Sequence, residues 1–210
     1  MTRIVGIGGK LASGKDAVSD HLVKKHGWVK MGMSDALADA LYVLNPYIPV
    51  QSGTRKRVRF LGIPLWKSRT KYSSQLGVKP YAELYDSLGY VEVKRVTEVR
   101  RLLQKLGTEV GRNMISDSVW TDIMERKVKE LAATGVPGII VTGIRFPNEI
   151  EAISENLGGE LWWVSRPSLA AGSNAGHASE NSVDAADFDL TIHNTGTLDD
   201  LYAKVDKIVT

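Results

Sequence analysis

The sequence predicts a three-layer α/β fold with a mostly parallel, five-stranded sheet, and three observations carry that expectation. Apolar strand-like runs alternate with amphipathic helical runs from one end of the chain to the other, the order that places helices on both faces of a parallel sheet. The run Gly138-Ile139-Ile140-Val141-Thr142 is continuously apolar and β-branched, as a strand buried on both faces must be. The short run Ile4-Val5-Gly6-Ile7 leads into Gly9-Lys10-Leu11-Ala12-Ser13-Gly14-Lys15-Asp16 and then an amphipathic segment, which reads as a strand, a glycine loop and a helix start.

A chain of 210 residues suits one domain, with room for an inserted subdomain, and can bury a sizeable core. Without cysteine it forms no disulfide and no thiolate metal site, which fits a reducing setting. No apolar run approaches the roughly 20 residues of a membrane span, and the glycine loop begins where the hydrophobic region of a signal peptide would continue. A cytoplasmic protein with no membrane partner is expected. The net charge is only +3, but it is unevenly spread. No acidic residue lies between Asp39 and Glu83, where Arg55, Lys56, Arg57, Arg59, Lys67, Arg69, Lys71 and Lys79 all fall. Such a block attracts anions, as a nucleic-acid contact, as a flap over a nucleotide, or as no more than a solvated insertion.

The loop has the spacing G-x-x-x-x-G-K-[ST], in which glycines let backbone N–H groups curl around an anion and the lysine reaches terminal phosphates. The helix behind it adds partial positive charge. Asp16 stands where Ser or Thr is expected; its carboxylate suits magnesium, or it complements the helix N-terminus. Val18 and Leu22 mark the buried stripe of this helix, and Gly27 its stop. Trp28–Met31 reads as a second strand. Ser34 and Asp35 follow its carboxyl end, where open α/β sheets place ligands and where helix capping explains them equally well. The next helix runs through Leu37, Ala40, Leu41 and Leu44 to Asn45-Pro46. From Pro46 to Pro80 no element can be placed, and residues 46–92 read as an insertion, with a helical run near Tyr81–Leu88.

Glu92–Asn113 reads as one helix, with Val99, Leu102, Leu103, Leu106 and Val110 on its buried face. Arg101, Gln104, Thr108 and Arg112 form a second, polar stripe, able to face a ligand or simply water. Gly107 among them suggests close approach to the backbone, since glycine in a helix interior loses about 0.5–1 kcal/mol relative to alanine. Ser116–Thr134 is a further helix, in which Trp120 serves either as a stacking platform or, more simply, as core. After the strand 138–142, Pro147 and Glu149 suit the start of a helix over Asn148–Leu157, whereas Arg145 has less structural excuse. A strand over Glu160–Ser165 follows. The long polar run Ser168–Asp187 is expected to be a loop, with His177 and Glu180 its most reactive members. The chain closes with a strand Asp189–His193, a turn Asn194-Thr195-Gly196 and a Thr197-capped helix that turns Leu198, Leu201, Val205 and Ile208 inward.

Together, the loop ending Ser13-Gly14-Lys15-Asp16, the run Arg100-Arg101-Leu102-Leu103-Gln104-Lys105-Leu106-Gly107-Thr108-Glu109, the run Val141-Thr142-Gly143-Ile144-Arg145-Phe146-Pro147-Asn148-Glu149 and the turn Asn194–Thr197 resemble the deoxynucleoside monophosphate kinases of tailed bacteriophages. The resemblance implies a P-loop, adenylate-kinase-like fold over a single domain. It implies ATP with Mg²⁺ as donor and a deoxynucleoside monophosphate as acceptor, in the host cytoplasm if phage-encoded. It makes Lys15, Arg101 and Arg145 catalytic, gives Gly9, Lys10, Leu11, Ala12, Ser13, Gly14, Lys15, Asp16 and Ala17 with Asn194, Thr195 and Gly196 to ATP, and gives the metal to Asp16. Arg101, Gly107, Thr108, Trp120, Arg145 and Glu149 match substrate positions, to which Asp35 is added for its place after the second strand and Gln104 for its place on the polar stripe.

Two positions depart from the family pattern: Gly143, where an acidic residue is common, and Ala38, where some members are basic. A homodimer is compatible with this reading. The alternatives are another small-molecule kinase of the same fold, acting on a substrate such as dephospho-coenzyme A, a nucleic-acid-binding ATPase using the basic block, and a non-catalytic nucleotide-binding regulator. The small net charge and the absence of a nucleic-acid module disfavour the ATPase.

Overall fold

A computed structural model describes residues 2–52, 75–167 and 182–209. In chain order its elements are β1 (Arg3–Gly8), α1 (Lys15–His26), β2 (Val29–Gly32), α2 (Asp35–Leu44), β3 (Tyr47–Ser52) and β4 (Gln75–Pro80). There follow α3 (Tyr81–Val93), α4 (Thr97–Lys105), α5 (Val119–Ala133), β5 (Gly138–Thr142), α6 (Pro147–Glu151), β6 (Glu160–Ser165), β7 (Leu190–His193) and α7 (Leu198–Val209). The chain forms two compact units, Met1–Ala36 with Val110–Thr210, and Leu37–Glu109.

The first unit holds the expected five-stranded sheet, in the order β2-β5-β1-β6-β7, with every pairing parallel. Val5 of the central β1 lies opposite Ile140 on one side and Glu160 on the other. The chain crosses first to one side of β1 and then to the other, so the segment leaving its carboxyl end sits at the switch point where such sheets bind ligands.

Successive residues of a strand face opposite sides, and the core divides accordingly. Ile140, Trp162 and Val164 join Val5, Ile7, Val18, Leu22, Leu201 and Val205 beneath α1 and α7. Ile139, Val141, Leu161 and Trp163 join Met124, Val128 and Ile153 on the other face, beneath α5 and the segment after α6. Leu198, expected to face inward, is 56% exposed, so the buried stripe of α7 begins at Leu201.

In the second unit β3 and β4 pair antiparallel, with Ile48 opposite Lys79. Leu41, Ile48, Tyr81, Leu84, Val93 and Val99 form its core. These are elements that the sequence between Pro46 and Pro80 did not reveal. The basic residues 55–71, and His177 with Glu180, lie outside the described residues.

The helix expected over Glu92–Asn113 is interrupted: α3 ends at Val93, α4 starts at Thr97, and from Leu106 to Ile115 the backbone widens into a π-helix. Its wider i→i+5 bonding, closed by Ser116 N–H donating to Gly111 C=O at 3.0 Å, breaks the 3.6-residue rhythm. Val110, expected to be buried, is therefore 37% exposed. A similar widening at Ala152–Asn156 ends the helix that begins at Pro147. Among the described residues no helix is long and apolar enough to cross a membrane.

Candidate active site

The loop after β1 is fixed by sterics. Gly9 has φ +138°, and a side chain there would place Cβ 2.4 Å from the Val164 carbonyl oxygen. Gly14 has φ +110°, and a Cβ there would stand 2.7 Å from Asn194 Nδ2. Only glycine fits both the dihedral and the space. Asn194 is 8% exposed and its Nδ2 donates to the Ser13 carbonyl at 2.9 Å, tying the end of β7 to the turn of the loop. Sequence reading assigned Asn194 to the nucleotide. Its side chain pins the loop, a partnership across 181 positions that no local pattern announces.

Ser13 is 1% exposed, and among the described residues its hydroxyl has no hydrogen-bond partner. A buried polar group left so costs about 1–3 kcal/mol, which an incoming acceptor atom would relieve. The Lys15 ammonium folds back over the loop and donates to the carbonyls of Gly9 and Lys10, each at 2.7 Å. Lys10, Leu11 and Ala12 form the exposed crest, while Ala17 packs against the core. These features, a glycine-walled turn with an orphaned hydroxyl and a lysine above it, fit a phosphate chain. The Asp16 carboxylate is 85% exposed and 3.5 Å from Lys30 Nζ, which also holds Asp20 at 2.9 Å. It is open to a cation in water, with Lys30 as competitor. Thr195 and Gly196 line a surface hollow with Asp200, Ala203, Lys204 and Lys207. Asp35, the first residue of α2, accepts the N–H of Gly32 at the end of β2 through Oδ2 at 2.6 Å, which ties the turn between strand and helix.

The turn after β5 is fixed by a buried charge. Glu149 is 4% exposed, and its Oε2 accepts the N–H groups of Arg145 at 2.7 Å and Phe146 at 3.2 Å. Its Oε1 accepts from Arg112 at 3.2 Å, and the Arg112 guanidinium lies 4.1 Å from the centre of the Phe146 ring. Burial pushes the Glu149 carboxyl above its ordinary pKa, against the opposing pull of those N–H bonds and of Arg112. The Arg145 side chain is left exposed, and none of the described residues forms an ion pair with it. Trp120 is 8% exposed and packs against Gly111, where a Cβ would meet its indole at 2.5 Å.

In the second unit, Arg101 is exposed and binds Glu98 through Nε at 2.8 Å and through its terminal nitrogen at 2.5 Å. Gln104 and Thr108 share that exposed face of the helix. Gly107 lies against Leu37, with 3.3 Å from a built Cβ to Leu37 Cδ1, so the close approach inferred from sequence is made by a leucine of the same unit.

Comparison with known proteins adds a separate line. The family model described as deoxynucleotide monophosphate kinase matches residues 68–205. The deoxynucleotide monophosphate kinase of Escherichia phage RB69 is 25% identical over 169 residues, covering 80% of this chain and 63% of that protein. That of Enterobacteria phage T4 is 24% identical, with 97% of both chains covered. An uncharacterized protein, ORF77, of Ictalurid herpesvirus 1 is 27% identical over 84% of this chain and 57% of its own length. The chain thus spans about three-fifths of the RB69 and herpesvirus proteins. Among solved structures, dephospho-CoA kinase from Campylobacter jejuni aligns with a TM-score of 0.46 and 13% identity over 99% of this chain and 96% of its own, a likeness too loose to bear on function.

Proposed function

Because the chain belongs to the deoxynucleotide monophosphate kinase family, we propose that it moves the terminal phosphoryl group of ATP to a deoxynucleoside monophosphate, giving ADP and the diphosphate. The observation that carries this reading is the loop Gly9–Lys15, whose walls, orphaned Ser13 hydroxyl and folded lysine suit a triphosphate tail. The family model matches from residue 68, beyond this loop, so the loop's geometry adds support that the model match does not contain.

Transfer between phosphates needs positioning and charge neutralisation rather than a general base, because the acceptor is already ionised. In this reading Lys15 swings from the Gly9 and Lys10 carbonyls to the donor phosphates, and the loop from Gly9 to Ala17 holds them. Asp16 would hold magnesium, which supplies charge neutralisation at the phosphates. The exposed guanidinium of Arg145 takes the acceptor and the charge of the transferring group, for which its planar fork is suited. Glu149 acts on Arg145 from below, through the main chain.

Arg101, Gly107, Thr108 and Trp120 are assigned to the substrate by family resemblance, Asp35 by its place after β2 and Gln104 by its place beside Arg101, and Thr195 with Gly196 to the adenine side of ATP. The partners are small molecules, without nucleic acid, in the cytoplasm, and the reading admits a homodimer. A coupled ADP-release assay across the four deoxynucleoside monophosphates tests it: at least one should support turnover. ADP release that ignores every acceptor, or that requires DNA, would overturn it.

A further inference from the structure

Six and eleven residues beyond Lys15 along α1, two histidines belong to a second cluster, outside the phosphate loop. His21 Nε2 and His26 Nε2 lie 2.8 and 2.7 Å from one oxygen, Oδ1 of Asp206 in α7. The three donor atoms lie within 4.8 Å of one another. All three side chains are partly buried, at 13, 21 and 25% exposure. Of the chain's four histidines, two meet at this point.

We propose that His21, His26 and Asp206 bind a divalent transition-metal ion, for which Zn²⁺ is the best match, and that this ion ties α1 to α7. Two imidazoles and a carboxylate form a donor set suited to borderline ions, unlike the all-oxygen surroundings that magnesium prefers. A tetrahedral ion with bonds of about 2.0–2.1 Å needs donors about 3.3 Å apart, so each nitrogen has to move about 0.5 Å from Oδ1, and the two nitrogens, within 4.8 Å of each other, have to settle at the same spacing.

Its surroundings are those of a ligand set. The His21 ring stacks on Tyr202 at 4.2 Å with 3° between planes, which fixes its direction. Lys25 Nζ holds the other carboxylate oxygen of Asp206 at 2.7 Å, leaving Oδ1 as the single coordinating atom. The ion would replace the two Nε2 contacts to Oδ1 by three coordinate bonds between the helix behind the phosphate loop and the helix that closes the same sheet face, each imidazole keeping its proton on Nδ1 and giving up any proton on Nε2 to water.

The test uses the full chain, stripped with chelator and titrated with ZnCl₂ alone by calorimetry, without nucleotide. One saturable site is expected, with a melting temperature that rises with free Zn²⁺. His21→Gln and His26→Gln should each weaken binding by at least about 10–100-fold, the loss typical of removing even an outer partner of a ligand. Co²⁺ should give the visible absorption of a tetrahedral ion with imidazole ligands, and both substitutions should remove it. This signature depends on coordination, not on kinase activity, and would stand if the kinase reading fell. Absence of Zn²⁺ binding, or binding and Co²⁺ spectra unchanged in the double variant, would show a clasp made only of hydrogen bonds and overturn the proposal.

Discussion

Two loops leave the carboxyl ends of neighbouring strands β1 and β5, and they are held by opposite means. The first, Gly9–Lys15, is walled by backbone and by Asn194, leaving no room for a Cβ at either glycine. The second, Gly143–Glu149, is loose in steric terms: Gly143 has φ +86°, yet nothing lies within 4 Å of where its Cβ would be. What fixes it is one buried carboxylate holding two main-chain N–H groups and Arg112. A loop closed by sterics should fail when an atom is added, and a loop closed by charge when an atom is exchanged.

The largest effect is expected where the second loop delivers its side chain. Arg145→Ala removes an exposed group and should leave the melting temperature unchanged while lowering kcat by about 10³–10⁵, as loss of a transition-state guanidinium does. A kcat loss under tenfold in steady-state kinetics would take Arg145 out of the transition state. Gly14→Ala comes next, because it meets both a left-handed backbone and the Asn194 amide 2.7 Å away. The strain should cost about 1–3 kcal/mol by denaturant titration and weaken ATP binding, whereas Gly143→Ala, with the same sign of φ and open space, should cost only about 1 kcal/mol. Equal losses at the two glycines would erase the contrast.

Glu149→Gln should match Gly14→Ala in stability but act through charge, since the amide oxygen can accept one or both N–H bonds but gives up the charge facing Arg112. About 1–3 kcal/mol of stability should go, with kcat falling because Arg145 is less well aimed. The smallest effect is in pH dependence. The folded carboxyl of Glu149 has a raised pKa, chiefly by burial, so the native state binds the proton more tightly than the unfolded chain. Its contribution to stability is greatest below the unfolded value of about 4.3 and declines as pH rises through the folded one. The difference in stability between wild type and Glu149→Gln should therefore vary with pH in this acidic range and level off above it.

The same contrast explains what the sequence made legible. The glycine loop was readable because sterics demand particular residues at a fixed spacing, and the parallel sheet because burial on both faces demands unbroken β-branched runs such as Ile139–Val141. The hold of Glu149 on the turn was not legible, since a carboxylate in the first turn of a helix looks alike whether it turns outward or caps the preceding loop. Asn194 holding Ser13, and Arg112 holding Glu149, pair residues far apart in sequence, and only the assembled sheet brings them together. The widening at Leu106–Ile115 was illegible for a different reason: its apolar spacing still satisfies the α-helical rhythm on paper, and the added residue per turn is a response to packing, not a propensity. Between Pro46 and Pro80 the two strands have too few alternating positions beside their prolines to announce themselves.

The central claim is that Lys15, folded over a loop built for phosphates, serves the donor in a kinase of this family. The most direct measurement is initial-rate ADP formation by wild type and Lys15→Met, side by side, with the best deoxynucleoside monophosphate acceptor at saturating ATP. The account predicts acceptor-dependent turnover in the first and a loss of at least about 10²–10³ in the second, the scale of removing one aligned donor from a developing charge. Turnover retained in Lys15→Met would contradict it.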